Sequence, residues 1–265
     1  MSSKTLPFSK AEIESIMDGT PTPFHIYDEK AILANARKLK AAFAWNEGFR
    51  EYFAVKATPN PYIMKLLAAE GFGADCSSGP ELTLAEHVGV VGEGIMFTSN
   101  DTPGYEYEQA KALGAIMNLD DISHIDFVDG CVGLPELICF RYNPGALKEG
   151  NAIIGHPEDA KYGFTREQLI DGYRMARDRG VTRFGIHTMV ASNELDGTYF
   201  VETAQILFEL IADISNELGI HFEFANLGGG IGIPYRPEET AVDLESVSDG
   251  IKDRYDTIIT ANNLE

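Results

Sequence analysis

Lys56 closes an apolar, strand-forming run in the stretch YFAVKATPN, residues 52–60. An ammonium group there either reaches water through its flexible stem or is put to use. An amine is a nucleophile only when unprotonated, and desolvation at an apolar strand end favours that form, as a lysine that bonds to a carbonyl carbon requires. Taken alone, Lys56 is weak evidence, because a lysine at a strand end usually just reaches solvent. NLGGGIGIPY, residues 226–235, is the second signal. Three glycines directly after a strand permit positive φ and leave backbone N–H groups to converge on an anion such as a phosphate. The dinucleotide fingerprint does not fit, because Ile233 stands where its third glycine belongs, and no G-K-[ST] follows for a P-loop; a plain tight turn accounts for the glycines as well. GIHTMVASN, residues 185–193, ends a strand on His187 and reaches Ser192 five residues later. A lone histidine is ordinarily a satisfied core residue. No second histidine sits at i+4 and H-E-x-x-H is absent, so no metal is expected; without G-x-S-x-G, serine hydrolysis is not indicated either.

The elements that must position these residues follow from periodicity. FSKAEIESIM pairs Ser9 with Glu12 in a capping-box pattern and predicts a short N-terminal helix. PFHIY, residues 23–27, predicts a short strand, and DEKAILANARKLKAAFA spaces Ile32, Leu33, Ala36, Leu39 and Phe43 on one helical face. Strand-like runs then recur at YFAV, GFGADC, GIMFTS, AIMNL, ELICFRYN, RFGIH and FEFANL. Between them lie the helical runs NPYIMKLLAAEG, YEYEQAKALG, TREQLIDGYRMARDRG and GTYFVETAQILFELIADISNELG, with a further helix from about Val242. Strand and helix alternating at this spacing predict parallel strands joined by helical crossovers. Lys56, Asp75, Ser99, Asn100, Asp120, Arg141, Asn143, His187 and Gly228 to Gly230 all follow or end strands. Polar groups repeated at one edge favour a barrel of the (β/α)8 type, whose strand ends converge over one mouth, above an open sheet that spreads them along a line. Seven strands are one short of that closure. No internal repeat or low-complexity linker interrupts the alternation.

Composition narrows the partners. The 265 residues are 44% hydrophobic, enough for a sizeable core, and carry a formal charge of −20 with no basic cluster. Phosphate backbones and anionic lipid surfaces are repelled at long range, which argues against nucleic acid and membrane as partners. Three cysteines, Cys76, Cys131 and Cys139, give neither a C-x-x-C pair nor an even disulfide framework, as fits a reducing compartment. The start lacks the cationic-then-apolar design of a leader, so a cytoplasmic protein is expected.

Together, TPFHIYDE, YFAVKATPNPYIMKLLAAEGFGADCSSGPEL, FRYNPG, AKYGF, GIHTMVASN and NLGGGIGIPY resemble, in order and spacing, the pyridoxal-phosphate-dependent decarboxylases of the alanine-racemase-like barrel fold. Within that family the similarity is greatest to the diaminopimelate decarboxylases. The resemblance runs from about Thr22 to Tyr235. It implies pyridoxal 5'-phosphate as cofactor, Lys56 as the lysine bonded to its aldehyde, and His187 as the residue stacked on its ring. It implies Gly228, Gly229 and Gly230, with Ser192, as phosphate contacts, and Asp75, Ser78, Glu81 and Arg141 as supports of the site. It also implies an amino-acid substrate, by the same resemblance meso-2,6-diaminopimelate yielding L-lysine and carbon dioxide. Carboxynorspermidine, ornithine and arginine decarboxylases remain alternatives, as do a racemase on the same cofactor and a non-catalytic binding homologue.

The sequence departs from the family at Thr58, at the Ala225–Asn226 pair before the glycines, and in the longer HTMVASN block. After GIPY comes an acidic helical stretch, DLESVSDGIKDRYDTIITANNLE, where the sequence stops. The resemblance implies that an eighth strand bearing E-P-G-R and a β-domain come next, with the site completed across a dimer interface. Residues 1–28 are accordingly expected to form an N-terminal helix and strand, and 29–265 an incomplete barrel truncated before its eighth strand. Such a chain is expected to act as the N-terminal portion of a longer enzyme, as a homodimer or with a complementing C-terminal chain, and not to decarboxylate alone.

Overall fold

The computed structural model describes residues 6–148 and 162–265; Ala160 and Lys161 of the AKYGF block lie outside them. All seven strands expected after residue 50 are present: β1 (Tyr52–Ala54), β2 (Gly73–Cys76), β3 (Ile95–Thr98), β4 (Ile116–Leu119), β5 (Leu137–Tyr142), β6 (Arg183–Thr188) and β7 (Phe222–Asn226). They pair in parallel in chain order, β1 to β7, in one sheet. Helices α1 (Lys10–Met17) and α2 (Glu29–Ala42) precede the sheet, α3 (Pro61–Ala69), α4 (Gly79–His87), α5 (Gly104–Leu113), α6 (Ser123–Val132), α7 (Arg166–Asp178) and α8 (Gly197–Leu218) are the crossovers between successive strands, and α9 (Leu244–Arg254) follows β7.

Helix boundaries follow local chemistry. The expected capping box forms at Ser9 and Glu12, and a second one at Thr165 and Gln168 starts α7. Asn60 accepts from Tyr62 N–H at 3.0 Å, with Pro61 at the first helical position, where a missing N–H costs nothing. Two helices, α4 and α6, escaped the periodicity reading. The first starts Gly-Pro and buries Gly79 and Glu81, so its inward face is not an apolar stripe. In α6, Gly130 and several β-branched residues weaken the helical signal.

The strand expected at residues 23–27 does not form; the segment runs without sheet pairing, and Pro23, His25, Ile26 and Tyr27 are exposed. An extended segment becomes a strand only beside a ladder partner, and none of the seven strands pairs with this one. α1 buries no residue.

The sheet curls upon itself. On its concave face Met96, Ile116, Leu137 and Cys139 cluster with Tyr52 of β1 and Phe224 of β7, so side chains from strands far apart in the ladder meet at the barrel centre. A larger core of buried side chains fills the space between the convex face and the helices, among them Leu82, Tyr107, Ile125, Phe140, Tyr173 and Leu207. Gly185 makes room inside: a Cβ there would lie 2.1 Å from the Phe224 ring. The β6–β7 register shifts at this point, between Phe184 and Gly185, and the Tyr173 hydroxyl donates to Gly185 O at 2.7 Å. Among the described residues β1 and β7 do not pair with each other, so the architecture is a curled half-barrel with two free edges.

Candidate active site

The carboxyl ends of the strands bring most of the sequence-predicted residues to one rim. Register sets them side by side: Ala54, two residues before Lys56, lies beside Asp75; Thr98 beside Asn118; Arg141 beside His187; and His187 beside Asn226. Lys56 sits in the single turn Val55–Ala57 that ends β1, with Val55 fully buried beneath it and its own side chain exposed at the rim.

The supporting carboxylates are tied down. Glu81 accepts from Ser77 N–H at 2.8 Å and Ser77 Oγ at 2.9 Å, with Ser78 Oγ at 3.3 Å. Glu106 of α5 accepts from Gly79 N–H at 2.9 Å and steadies the start of α4. Arg141 donates through Nε to Asp120, and its guanidinium lies 4.5 Å from the centre of the Tyr162 ring. This pair is almost fully withdrawn from water, so the planar fork is held between a carboxylate and an aromatic face.

Burial shapes the titration of the rim. His187 is 7% exposed. Its pKa is lowered to about 3, first by burial and then by the positive charges of Arg141 and Lys56. The ring is therefore neutral at physiological pH. Asp75 moves the other way, raised to about 6 by burial and, secondarily, by Glu81, while the Thr98 hydroxyl, Lys56 and Arg141 oppose the shift.

The glycine loop is built against the loop after β6. Gly228 and Gly230 have φ of 73° and 90°, and a Cβ on either would come within 2.2 Å of a carbonyl oxygen, that of Thr188 or of Ala191. Only glycine fits both the angle and the approach. Backbone bonds from Glu194 N–H to Gly230 O and from Gly232 N–H to Glu194 O lock the two loops together, and Ser192 lies in the locked segment. Gly229 has open space where its Cβ would be. Its N–H faces only the weak acceptor Met189 Sδ at 3.3 Å. Among the described residues the N–H groups of Gly230 and Ile231 form no hydrogen bond. Three adjacent donors without a strong acceptor, at the rim that carries the lysine, form a donor set suited to a phosphate. With Lys56 free at the rim and His187 neutral, the residues present fit pyridoxal phosphate.

Two inward-facing residues were missed from sequence. Thr98 ends β3 and Asn118 stands one residue before the end of β4, on the same face as Asp75 and His187, and they bond to them. A polar Asn inside the otherwise apolar run AIMNL was the available signal.

Fold and rim together set a lysine and a glycine loop with free N–H donors at one edge of a curled parallel barrel. The chain belongs to the pyridoxal-dependent decarboxylases: the pyridoxal-binding domain of that family matches residues 29–264. It is 42% identical, over 91% of its length, to Protein TabA of Pseudomonas amygdali pv. tabaci, of which it covers 56%. It is 30% identical, over 89% of its length, to a diaminopimelate decarboxylase of Thermoplasma acidophilum, covering 58% of that protein. Diaminopimelate decarboxylase from M. jannaschii, solved in co-complex with L-lysine, superposes with a TM-score of 0.83 at 26% identity, over 92% of this chain and 60% of that one. The chain thus spans somewhat more than half the length of these relatives. No helix among the described residues is long and apolar enough to cross a membrane.

Proposed function

We propose that this chain forms the cofactor-bearing barrel of an amino-acid decarboxylase whose substrate is meso-2,6-diaminopimelate and whose products are L-lysine and carbon dioxide. The observation that carries the reading is the lysine at the end of β1 sharing one rim with a neutral, buried histidine and a glycine loop rich in free N–H groups. The substrate is supported by the relatives named diaminopimelate decarboxylase and by the lysine co-complex.

Each residue has a task on this reading. Lys56 is the amine that would hold the cofactor by its aldehyde. The N–H groups of Gly229, Gly230 and Ile231 would hold the phosphate, with Ser192 beside them. His187, uncharged, would pack against the cofactor without adding positive charge, and Arg141, fixed by Asp120 and Tyr162, presents a permanent cation at the rim. Asp75, held by the Thr98 hydroxyl, stands within the electrostatic reach of the lysine. The bound cofactor supplies the electron sink for the pair left when carbon dioxide departs. The working enzyme is a dimer or an assembly with a complementing C-terminal portion.

Borohydride reduction in the presence of pyridoxal phosphate, followed by peptide mass spectrometry, is expected to fix the pyridoxyl group on Lys56 and to fix none in Lys56→Ala. Label on another lysine, or equal label in the variant, would overturn the site. With the complementing C-terminal portion supplied, carbon dioxide release from meso-diaminopimelate should exceed that from ornithine, arginine or carboxynorspermidine; a better rate on any of these would overturn the substrate and leave the site standing.

A further inference from the structure

Four side chains on the inner face of the sheet form one hydrogen-bonded row from β2 to β6. Thr98 Oγ1 lies 3.1 Å from Asp75 Oδ1, and Asn118 Nδ2 lies 3.1 Å from Thr98 Oγ1. The same Asn118 nitrogen lies 2.8 Å from His187 Nδ1, reaching over β5 to do so.

The polarity of this row follows from its carboxylate end. An ionised Asp75 only accepts, so Thr98 directs its single proton to it and must accept at its own oxygen. The Asn118 atom facing Thr98 is then the amide nitrogen, and the second amide hydrogen faces His187. Nδ1 must accept it, which leaves the ring proton on Nε2. Asn118 is 2% exposed, and its Oδ1 is the one polar atom of the row left buried without a partner. Turning the amide round would satisfy that oxygen but bury two unpaired N–H donors and deprive Thr98 of its donor, a worse balance. Among the described residues Nε2 itself forms no hydrogen bond, so its proton is free for an incoming molecule.

We infer that Thr98 and Asn118 are positioning residues that transmit the acceptor character of Asp75 across the sheet and hold His187 as the Nε2–H tautomer, with that proton available to whatever binds at the rim. The inference deepens the reading of His187 as a cofactor contact and rests on it for its purpose. Its test needs no cofactor.

Protein labelled with 15N-histidine and free of pyridoxal phosphate is examined by long-range proton–nitrogen correlation at pH 7.5, a condition about at physiological neutrality where unperturbed histidines are mainly unprotonated. His187→Gln identifies the His187 signals. The wild type should show the proton on Nε2 and a bare Nδ1. Asn118→Asp puts an acceptor where the donor was, and the proton should move to Nδ1 or both nitrogens should be protonated. Thr98→Val, close in shape, removes the acceptor that orients the amide and should give a mixture of tautomers. A wild-type ring protonated on Nδ1 would overturn the inference, as would an unchanged Nε2–H signal in either variant that circular dichroism shows to be folded. A loss of packing alone would not exchange the two nitrogens. Because lysine labelling is read separately, failure here leaves the cofactor site untouched, and failure there leaves the tautomer measurement valid.

Discussion

Glu51 stands just before β1, half-buried, with no hydrogen bond to its carboxylate among the described residues. Burial, with Asp75 adding repulsion, raises its pKa from 4.5 to about 7. The sign of the effect on stability follows from proton uptake. Between those two values the folded protein holds a proton that the unfolded chain has released, so stability falls as pH rises through the window and the loss is complete above it. Glu51→Gln keeps the shape and cannot ionise. Thermal melts should show wild type and variant alike near pH ~4, with the variant more stable at pH ~8 by about 2 kcal/mol, less than the full shift because the group is partly solvated. A gap of the same size at both pH values would sink the idea. Asp75, raised in the same direction, leaves a shallower slope in the variant. Lys56, Asp75, Arg141 and His187 were legible in the sequence because each ends a strand as a polar group after an apolar run. Thr98 and Asn118 were not, because their importance lies in cross-strand contacts that no local pattern encodes.

At the scale of elements, the barrel interior is filled by an exchange between neighbouring strands. β6 gives up a side chain at Gly185 so that the Phe224 ring of β7 can occupy the centre, and the shifted register accommodates it. Gly185→Ala would place a methyl inside the ring and should cost about 1–3 kcal/mol, the usual penalty of overpacking. Adding Phe224→Leu should recover part of that loss, so the double variant should be more stable than the sum of the singles predicts. Additivity in chemical denaturation would show that the two sites do not interact. The strand count and order were readable because parallel strands joined by helices leave long periodic segments. PFHIY misled because strand propensity is realised only beside a partner, and α4 was hidden because it buries a glycine and a glutamate held by hydrogen bonds.

At the scale of the whole molecule, α9 joins the two ends of the described fold. Trp45, the only tryptophan, donates to Ser248 Oγ at 2.9 Å, and Ser248 donates in turn to Ala42 O at 2.6 Å. The indole also lies 5.5 Å from the Tyr255 ring. The outer helical layer is therefore clasped between α2 and α9 although the inner sheet does not close there among the described residues. Ser248→Ala leaves the indole N–H and a backbone carbonyl without that partner and should lower stability by about 1–3 kcal/mol. Trp45 emission should shift to the red before far-ultraviolet circular dichroism changes during denaturation. Coincident transitions with unchanged emission would show that the clasp contributes nothing of its own.

The sequence by itself determined the alternation of strands and helices, the parallel sheet, the family and the chemistry-bearing strand ends, because these depend on periodicity, capping and short motifs that local interactions enforce. The tertiary structure alone decided how the ends relate. It placed Asn118 against His187 across an intervening strand, set Gly185 beneath Phe224, locked the glycine loop on carbonyls of another loop, and brought α9 to α2. Those outcomes depend on the curl of the sheet, which joins residues tens to hundreds of positions apart and is set by the packing of all the strands together.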